Sequence, residues 1–287
     1  MSVRIFAPAK INLTLKVGRP RADGLHPLQS VVVFADVGDW VDAEPADKLS
    51  LEIRGPWAPS LSADPSNLVL CAARALALAA GISPCAKLVL EKNLPIASGM
   101  GGGSSDAAAT MRALNVLWAL GFSEAQLTRI AGEIGADVPV CVAGRSVYMT
   151  GVGEICTPIT TPVMRAVLVN PGRPLATAAV YRQFDLMSLG GGFAERPPPM
   201  WRDGASARAD ITAMGNDLEA PAQVLMPEIS LILRTLAADS RVLCTGMSGS
   251  GASIFALFVD AVAAHALADE LALMNPRWWV RPAVLGA

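Results

Sequence analysis

Between Leu94 and Ala109 the chain reads Leu-Pro-Ile-Ala-Ser-Gly-Met-Gly-Gly-Gly-Ser-Ser-Asp-Ala-Ala-Ala. Glycines at Gly99, Gly101, Gly102 and Gly103 allow positive φ and leave no Cβ between peptide N–H groups and a ligand. Ser104 and Ser105 are expected to cap the alanine-rich helix that follows. Its first turn would present unpaired N–H donors and the positive end of the helix dipole. Such a turn is a cradle for phosphate. A flexible Gly/Ser linker is the alternative, but a linker is not normally framed by a strand and a periodic helix. Here Lys87 to Glu91 reads as a strand, and Ala107, Met111, Leu114 and Trp118 share one helical face. No lysine follows the glycines, which excludes a Walker A loop. Ser104 holds the place of the third glycine in a dinucleotide fingerprint, which argues against a nicotinamide oxidoreductase. His-Arg-Asp and Asp-Phe-Gly are absent, so the chain is no protein kinase.

Three further segments carry reactive or small residues. Lys10 and Asn12 fall on the polar side of an alternating run, where a lysine is either a solvated edge charge or a functional cation. Asp137, in Gly135-Ala136-Asp137-Val138-Pro139, is a turn-forming or capping residue unless the site recruits it. Cys244 to Ala252 is a small-residue loop between two strands, either a tight hairpin or a loop closing over phosphates.

The elements that position these residues are legible in outline. Alternation predicts strands at Ile11 to Val17, Gln29 to Phe34, Trp40 to Glu44 and Leu49 to Ile53. Helices are expected from Asn67 to Ala80, with Ser66 or Asn67 at its cap, after the glycine loop, and from Ser123 to near Gly135. Short apolar runs at Val138 to Val142 and Ser146 to Thr150 read as strands. Beyond Pro162 the expectation is a strand (Ala166 to Asn170), a helix (Thr177 to Phe184), then a mobile surface loop from Ser188 to Arg208. A helix from Leu218 to Leu236, broken near Pro227, leads to strands at Val242 to Gly246 and Ser253 to Val259. A helix (Ala261 to Met274) and a strand (Trp278 to Val284) finish the chain. Strands mixed with helices in no regular βαβ order argue for an α+β fold.

The 287 residues suffice for two modest domains. With 52% hydrophobic and 17% charged residues the chain is globular. Mean hydropathy is +0.42, but Arg74, Asp260 and His265 interrupt the apolar stretches, and none reaches the ~20 residues of a membrane span. The N-terminus has no signal-peptide h-region, so the cytoplasm is expected. A net charge of −2 gives no footprint for nucleic acid. Five cysteines without a C-x-x-C pair read as free thiols. Two histidines are too few for a His-rich metal centre, which leaves magnesium arriving with a nucleotide.

Together these segments resemble the GHMP kinase superfamily of small-molecule kinases. The glycine loop is similar to its phosphate-binding loop, and Gly246 to Gly251 to its C-terminal glycine motif. Pro8 to Leu13, Arg21-Ala22-Asp23-Gly24-Leu25-His26, Leu28-Gln29-Ser30, Gly101 to Ala108, Gly135 to Val140 and Gly151-Val152-Gly153-Glu154 resemble the branch that acts on CDP-methylerythritol. The resemblance implies transfer of the γ-phosphoryl group of ATP to the 2-hydroxyl of that substrate, in non-mevalonate isoprenoid synthesis. It implies a two-domain α+β architecture, with an N-terminal α+β domain (1–162), a ferredoxin-like C-terminal domain (163–287) and the active site between them. It makes Asp137 the base and Lys10 its partner. The stretch Pro95, Ile96, Ala97, Ser98, Gly99, Met100, Gly101, Gly102, Gly103, Ser104 and Ser105 would hold ATP, with Ser105 near Mg2+ and Asp106 close to it. Asn12, His26 and Tyr181 would bind the substrate, His26 and Tyr181 at the cytosine. Leu25 stands where the family carries Tyr, and Ala97 and Ser98 where its loop is richer in glycine. A homoserine or mevalonate type of kinase would need no nucleobase pocket. A nucleotide-binding module without activity would need neither Lys10 nor Asp137.

Overall fold

The computed structural model describes residues 2–286. The first strand, β1 (Val3–Asn12), ends where the alternating run was expected to begin, and the tail of that run is the two-residue β2 (Lys16–Val17). The strands expected at Gln29 to Phe34 and Trp40 to Glu44 are one continuous strand, β3 (Leu28–Glu44). Gly38 lies within it because the backbone of Ala7 passes too close for a side chain: a Cβ there would sit 2.1 Å from the Ala7 carbonyl oxygen.

Packing divides the chain into two units: residues 1–9, 38–96 and 101–145, and residues 10–37, 97–100 and 146–287. They interleave in sequence, unlike the segments 1–162 and 163–287, because β1 and β3 each contribute to both. In the first unit β4 (Ser50–Arg54) runs parallel to β5 (Lys87–Glu91), which pairs antiparallel with Trp40–Glu44 of β3. Its helices are α1 (Leu68–Ala80), α2 (Gly102–Leu117), α3 (Glu124–Ala131) and α4 (Val138–Ala143). α1 packs on α2, and α2 and α3 pack on α4, burying Leu70, Leu76, Met111, Leu114 and Leu127. Asn67 caps α1 by accepting from Val69 N, and Ser123 forms a capping box with Gln126 at the start of α3.

The second unit opens on the first half of β3, paired with β2 and with β6 (Val147–Thr150), which in turn pairs with β7 (Ile155–Pro158). Then follow β8 (Met164–Asn170), α5 (Thr177–Leu186), α6 (Gly204–Met214), α7 (Glu219–Leu225), α8 (Glu228–Ala237), β9 (Val242–Met247), β10 (Ile254–Phe258), α9 (Ala261–Met274) and β11 (Trp279–Leu285). The strands from β8 onward form an antiparallel sheet ordered β11-β8-β10-β9, with helices in both long connections. This is the ferredoxin-like arrangement. Val167, Val169, Phe184, Ile229, Ile254 and Leu271 belong to its core. Pro227 separates α7 from α8, as its missing N–H requires.

Two segments depart from the elements expected of them. Val138 to Val142 is not a strand but helix α4. Pro139 sits in its first turn, where φ is already helical and no N–H is needed, and Gly144 ends it at φ 60°. A short apolar run carries no period long enough to separate the two choices. The segment Ser188 to Arg208 is loop only as far as Asp203. The Gly190 backbone lies against Gly18, Gln29 Nε2 donates to Ala194 O (2.9 Å), and Arg196 N donates to Gln29 Oε1 (3.1 Å). Asp203 then opens α6 through a capping box with Ser206. Cys71, Cys85, Cys141, Cys156 and Cys244 are free thiols. Among the described residues no helix is long and apolar enough to cross a membrane.

Candidate active site

The glycine loop is held in two stretches. In the second unit, Leu175 N donates to Ala97 O (3.1 Å), Ser253 N to Ser98 O (2.9 Å), and Ser248 Oγ to Gly99 O (2.8 Å). Gly99 has φ 76°, and a Cβ on it would lie 2.3 Å from Ser248 O, so no other residue fits. The C-terminal glycine motif is therefore a clamp on the loop rather than a bare hairpin. Lys10 N donates to Met100 O (2.9 Å) and Asn12 N to Ser248 Oγ (3.0 Å), which ties β1 to the same clamp. Asn12 Nδ2 donates to Ser30 Oγ (2.7 Å), which donates on to Thr14 O (2.6 Å).

In the first unit, α2 begins at Gly102, before the serines rather than at them. Gly101, at φ 61°, is its N-cap and offers no side chain. Ser104 and Ser105 lie inside the first turns, and Ser105 Oγ donates to Pro8 O (2.7 Å). The N–H groups that a capping hydroxyl would have satisfied are left for a ligand. Gly102 and Gly103 do not have positive φ. What denies Gly102 a side chain is Lys92, whose Nζ would be 2.9 Å from its Cβ.

Lys92 was not foreseen. Its ammonium donates to Asp39 Oδ2 (2.6 Å) and Asp106 Oδ2 (2.7 Å), with all three side chains at most 4% exposed. Burial works against the charged lysine, but the charges and hydrogen bonds of Asp106 and Asp39 together outweigh it and hold its pKa above the usual value. Asp106 is pushed up to about 7 by burial, opposed by Lys92 and reinforced by Asp39. Asp106 turns its Oδ2 to this ammonium. The available signal was a lone carboxylate among the apolar residues of an alanine-rich helix, which demands a cation from elsewhere.

Lys10 is only 5% exposed, which overturns its reading as a solvated edge charge. Asp137 is the N-cap residue of α4 but makes no side-chain capping bond, so capping does not account for it. His26 and Tyr181 come together, ring centroids 5.0 Å apart, with Phe184 edge-on to the imidazole at 5.7 Å. His26 is buried, and its Nδ1 lies 2.9 Å from Gly18 O. Because a carbonyl only accepts, Nδ1 carries the hydrogen of that bond, and Nε2 lies 3.5 Å from Asp185 Oδ1. Leu25 beside it is 51% exposed.

Residues 67–145 match the model of the GHMP kinase N-terminal domain and residues 196–276 that of the GHMP kinase C-terminal domain. A protein of Cereibacter sphaeroides named 4-diphosphocytidyl-2-C-methyl-D-erythritol kinase is 47% identical over 97% of this chain and 97% of its own length. One of the same name from Parvibaculum lavamentivorans is 45% identical over 98% of this chain and 97% of its own. The crystal structure of a 4-(cytidine 5'-diphospho)-2C-methyl-D-erythritol kinase superposes with a TM-score of 0.76 at 32% identity, covering 99% of both chains. With its clamped glycine loop, its ferredoxin-like sheet and relatives matched along their length, the chain belongs to the GHMP kinases, in the 4-diphosphocytidyl-2-C-methyl-D-erythritol kinase family.

Proposed function

We propose that this chain transfers the γ-phosphoryl group of ATP to the 2-hydroxyl of 4-diphosphocytidyl-2-C-methyl-D-erythritol, giving the 2-phosphate and ADP. The observation that carries the reading is 47% identity, along nearly the whole chain, to a kinase named for that substrate. The reaction is a cytoplasmic step of non-mevalonate isoprenoid synthesis, and the division at residue 162 separates the two domains of the family.

Pro95 to Ser105 takes the ATP phosphates on the backbone N–H groups at the start of α2, where the helix dipole favours anions. Asp137 accepts the proton of the substrate hydroxyl. Lys10 offsets charge on the transferring phosphoryl group. Phosphoryl transfer asks mainly for positioning and electrostatics, which suits a loop clamped as tightly as this one. Ser105 gives its hydrogen to Pro8 O and keeps oxygen lone pairs, so it fits as one hard donor to Mg2+. The metal, when bound with ATP, would neutralise charge on the phosphates. With its Nδ1 taken by Gly18 O, His26 meets the cytosine ring through Nε2. Tyr181 offers one stacking face, Leu25 an aliphatic one, and Asn12 completes the substrate side.

ADP release measured with the cytidine substrate, homoserine and mevalonate in turn tests the proposal. Turnover with the first is expected to exceed the others by orders of magnitude. Preference for either small alcohol would overturn the assignment.

A further inference from the structure

We infer that Asp39, Lys92 and Asp106 together set the register in which the glycine loop meets phosphate, making Lys92 a positioning residue for ATP. This rests on the proposed role of the loop. The three residues come from β3, from the residue after β5 and from the second turn of α2. Asp39 Oδ1 accepts from Asn93 N (2.6 Å) and Leu94 N (2.8 Å), the peptide units immediately before the loop. Its other oxygen holds the Lys92 ammonium, and that ammonium holds Asp106 on the helix that leaves the loop. The chain running into the loop and the helix running out of it are thus bolted to one nitrogen.

The bolt itself is fixed. Lys92 N donates to Arg54 O (2.8 Å), and the Lys92 ammonium lies against the Gly102 backbone, the first turn from which N–H groups would face the phosphates. The ammonium is taken up by Asp39 and Asp106, so it acts on the loop and is not a ligand of ATP itself. Stability does not explain the arrangement. Buried ion pairs and triads can often be replaced by apolar groups of similar volume at no cost or with a gain, because desolvation consumes the Coulombic attraction. This triad also carries two carboxylates to one ammonium and leaves Asp106 Oδ1 buried with no hydrogen-bond partner among the described residues. What directional bonds supply, and a greasy contact does not, is a fixed distance between β5 and α2.

The test is the full-length Lys92→Met/Asp106→Leu variant, which removes one positive and one negative side chain, keeps the net charge of the cluster and leaves Asp39 its two backbone donors. Steady-state ADP release is measured with ATP and with the cytidine acceptor varied separately, alongside a thermal melt. The expected result is a folded enzyme whose KM for ATP is raised about tenfold or more while the acceptor KM stays within about twofold. Asp106→Asn, which keeps an oxygen for Lys92, is expected to restore the ATP KM to within about threefold of the parent. A parental ATP KM in the double variant, a parallel rise in both KM values, or an equally poor Asp106→Asn would each overturn the inference. If the double variant does not fold, Asp39→Asn decides by the same two KM values, because it keeps the acceptor for Asn93 and Leu94 and loosens only Lys92. Gly99→Ala separates the two claims. An unchanged ATP KM there refutes the loop reading and the inference with it, whereas a raised one beside a parental double variant refutes the inference alone.

Discussion

Gly99→Ala is the smallest change that should disable the loop. Alanine at φ 76° costs roughly 1–2 kcal/mol relative to its preferred backbone. The added Cβ would stand 2.3 Å from Ser248 O and 2.8 Å from Gly251 O, both backbone atoms, so the strands of the clamp must part by about 1 Å to reach ordinary contact. Parting them strains the Ser248 Oγ to Gly99 O and Ser253 N to Ser98 O hydrogen bonds, each worth about 1 kcal/mol. The sum is roughly 2–4 kcal/mol, which for a chain of this size lowers the Tm by roughly 5–15 °C. The functional loss should be larger in proportion, because a displacement of about 1 Å near the reacting groups can cost ~10²-fold. Thermal melts and ADP-release kinetics at a temperature well below both transitions measure the two effects. Gly192→Ala, where a Cβ meets nothing within 4 Å and φ is not positive, is the control and should behave like the parent. If Gly99→Ala kept kcat/KM for ATP within about threefold, the clamp would not be what aligns the phosphates.

Asp137→Asn should keep the fold and lower turnover by ~10²–10⁴-fold, the usual share of a general base, with Lys10→Met comparably slow. Rapid-quench turnover near the parental rate in the first variant would remove Asp137 from the mechanism. Tyr181→Ala should weaken the cytidine substrate by about 1–3 kcal/mol through lost stacking and leave ATP affinity alone, which titration calorimetry with each ligand measures. His26→Ala should do the same by removing a hydrogen bond, and parental binding in both would move the cytosine elsewhere. Glu219 lines a cavity of about 390 Å³ with Asn216, Cys244 and Thr245, and burial raises its pKa although Met247 N–H, by donating to it, opposes the shift. A carboxyl whose folded pKa lies above its unfolded value of 4.5 loses stabilisation as pH rises from there through the folded pKa. Glu219→Gln should therefore melt progressively higher than the parent from pH 4 to 7, and a constant gap across that range would contradict the burial argument.

Features of the site differ in how far they can be read from the chain alone. Turns and caps are local. The cap at Ser66 or Asn67, which the structure gives to Asn67, the helix start at Ser123, the break at Pro227 and the glycine run before α2 were all recognisable, because each depends on residues within a few positions of one another. The helix at Val138–Ala143 was misread because six apolar residues complete too few turns to show a period. The triad lay further out of reach. Lys92 is 53 residues from Asp39 and 14 from Asp106, and nothing local joins an ion pair across such gaps.

The glycines make the same point more sharply, since their presence and their reason separate. The run from Gly99 to Gly103 was legible as a place where side chains are excluded, but one local cause, positive φ and open access to phosphate, was assigned to all of it. In the folded chain the causes differ. Gly99 is excluded by the Ser248 carbonyl, Gly101 by its left-handed backbone, and Gly102 by a buried ammonium. Each exclusion comes from a different part of the structure, so each glycine should fail differently when substituted. At Gly102 the obstacle is the far end of a side chain held by two carboxylates, and releasing that side chain should relieve it. At Gly99 the obstacle is backbone, and no second substitution nearby should rescue the loop.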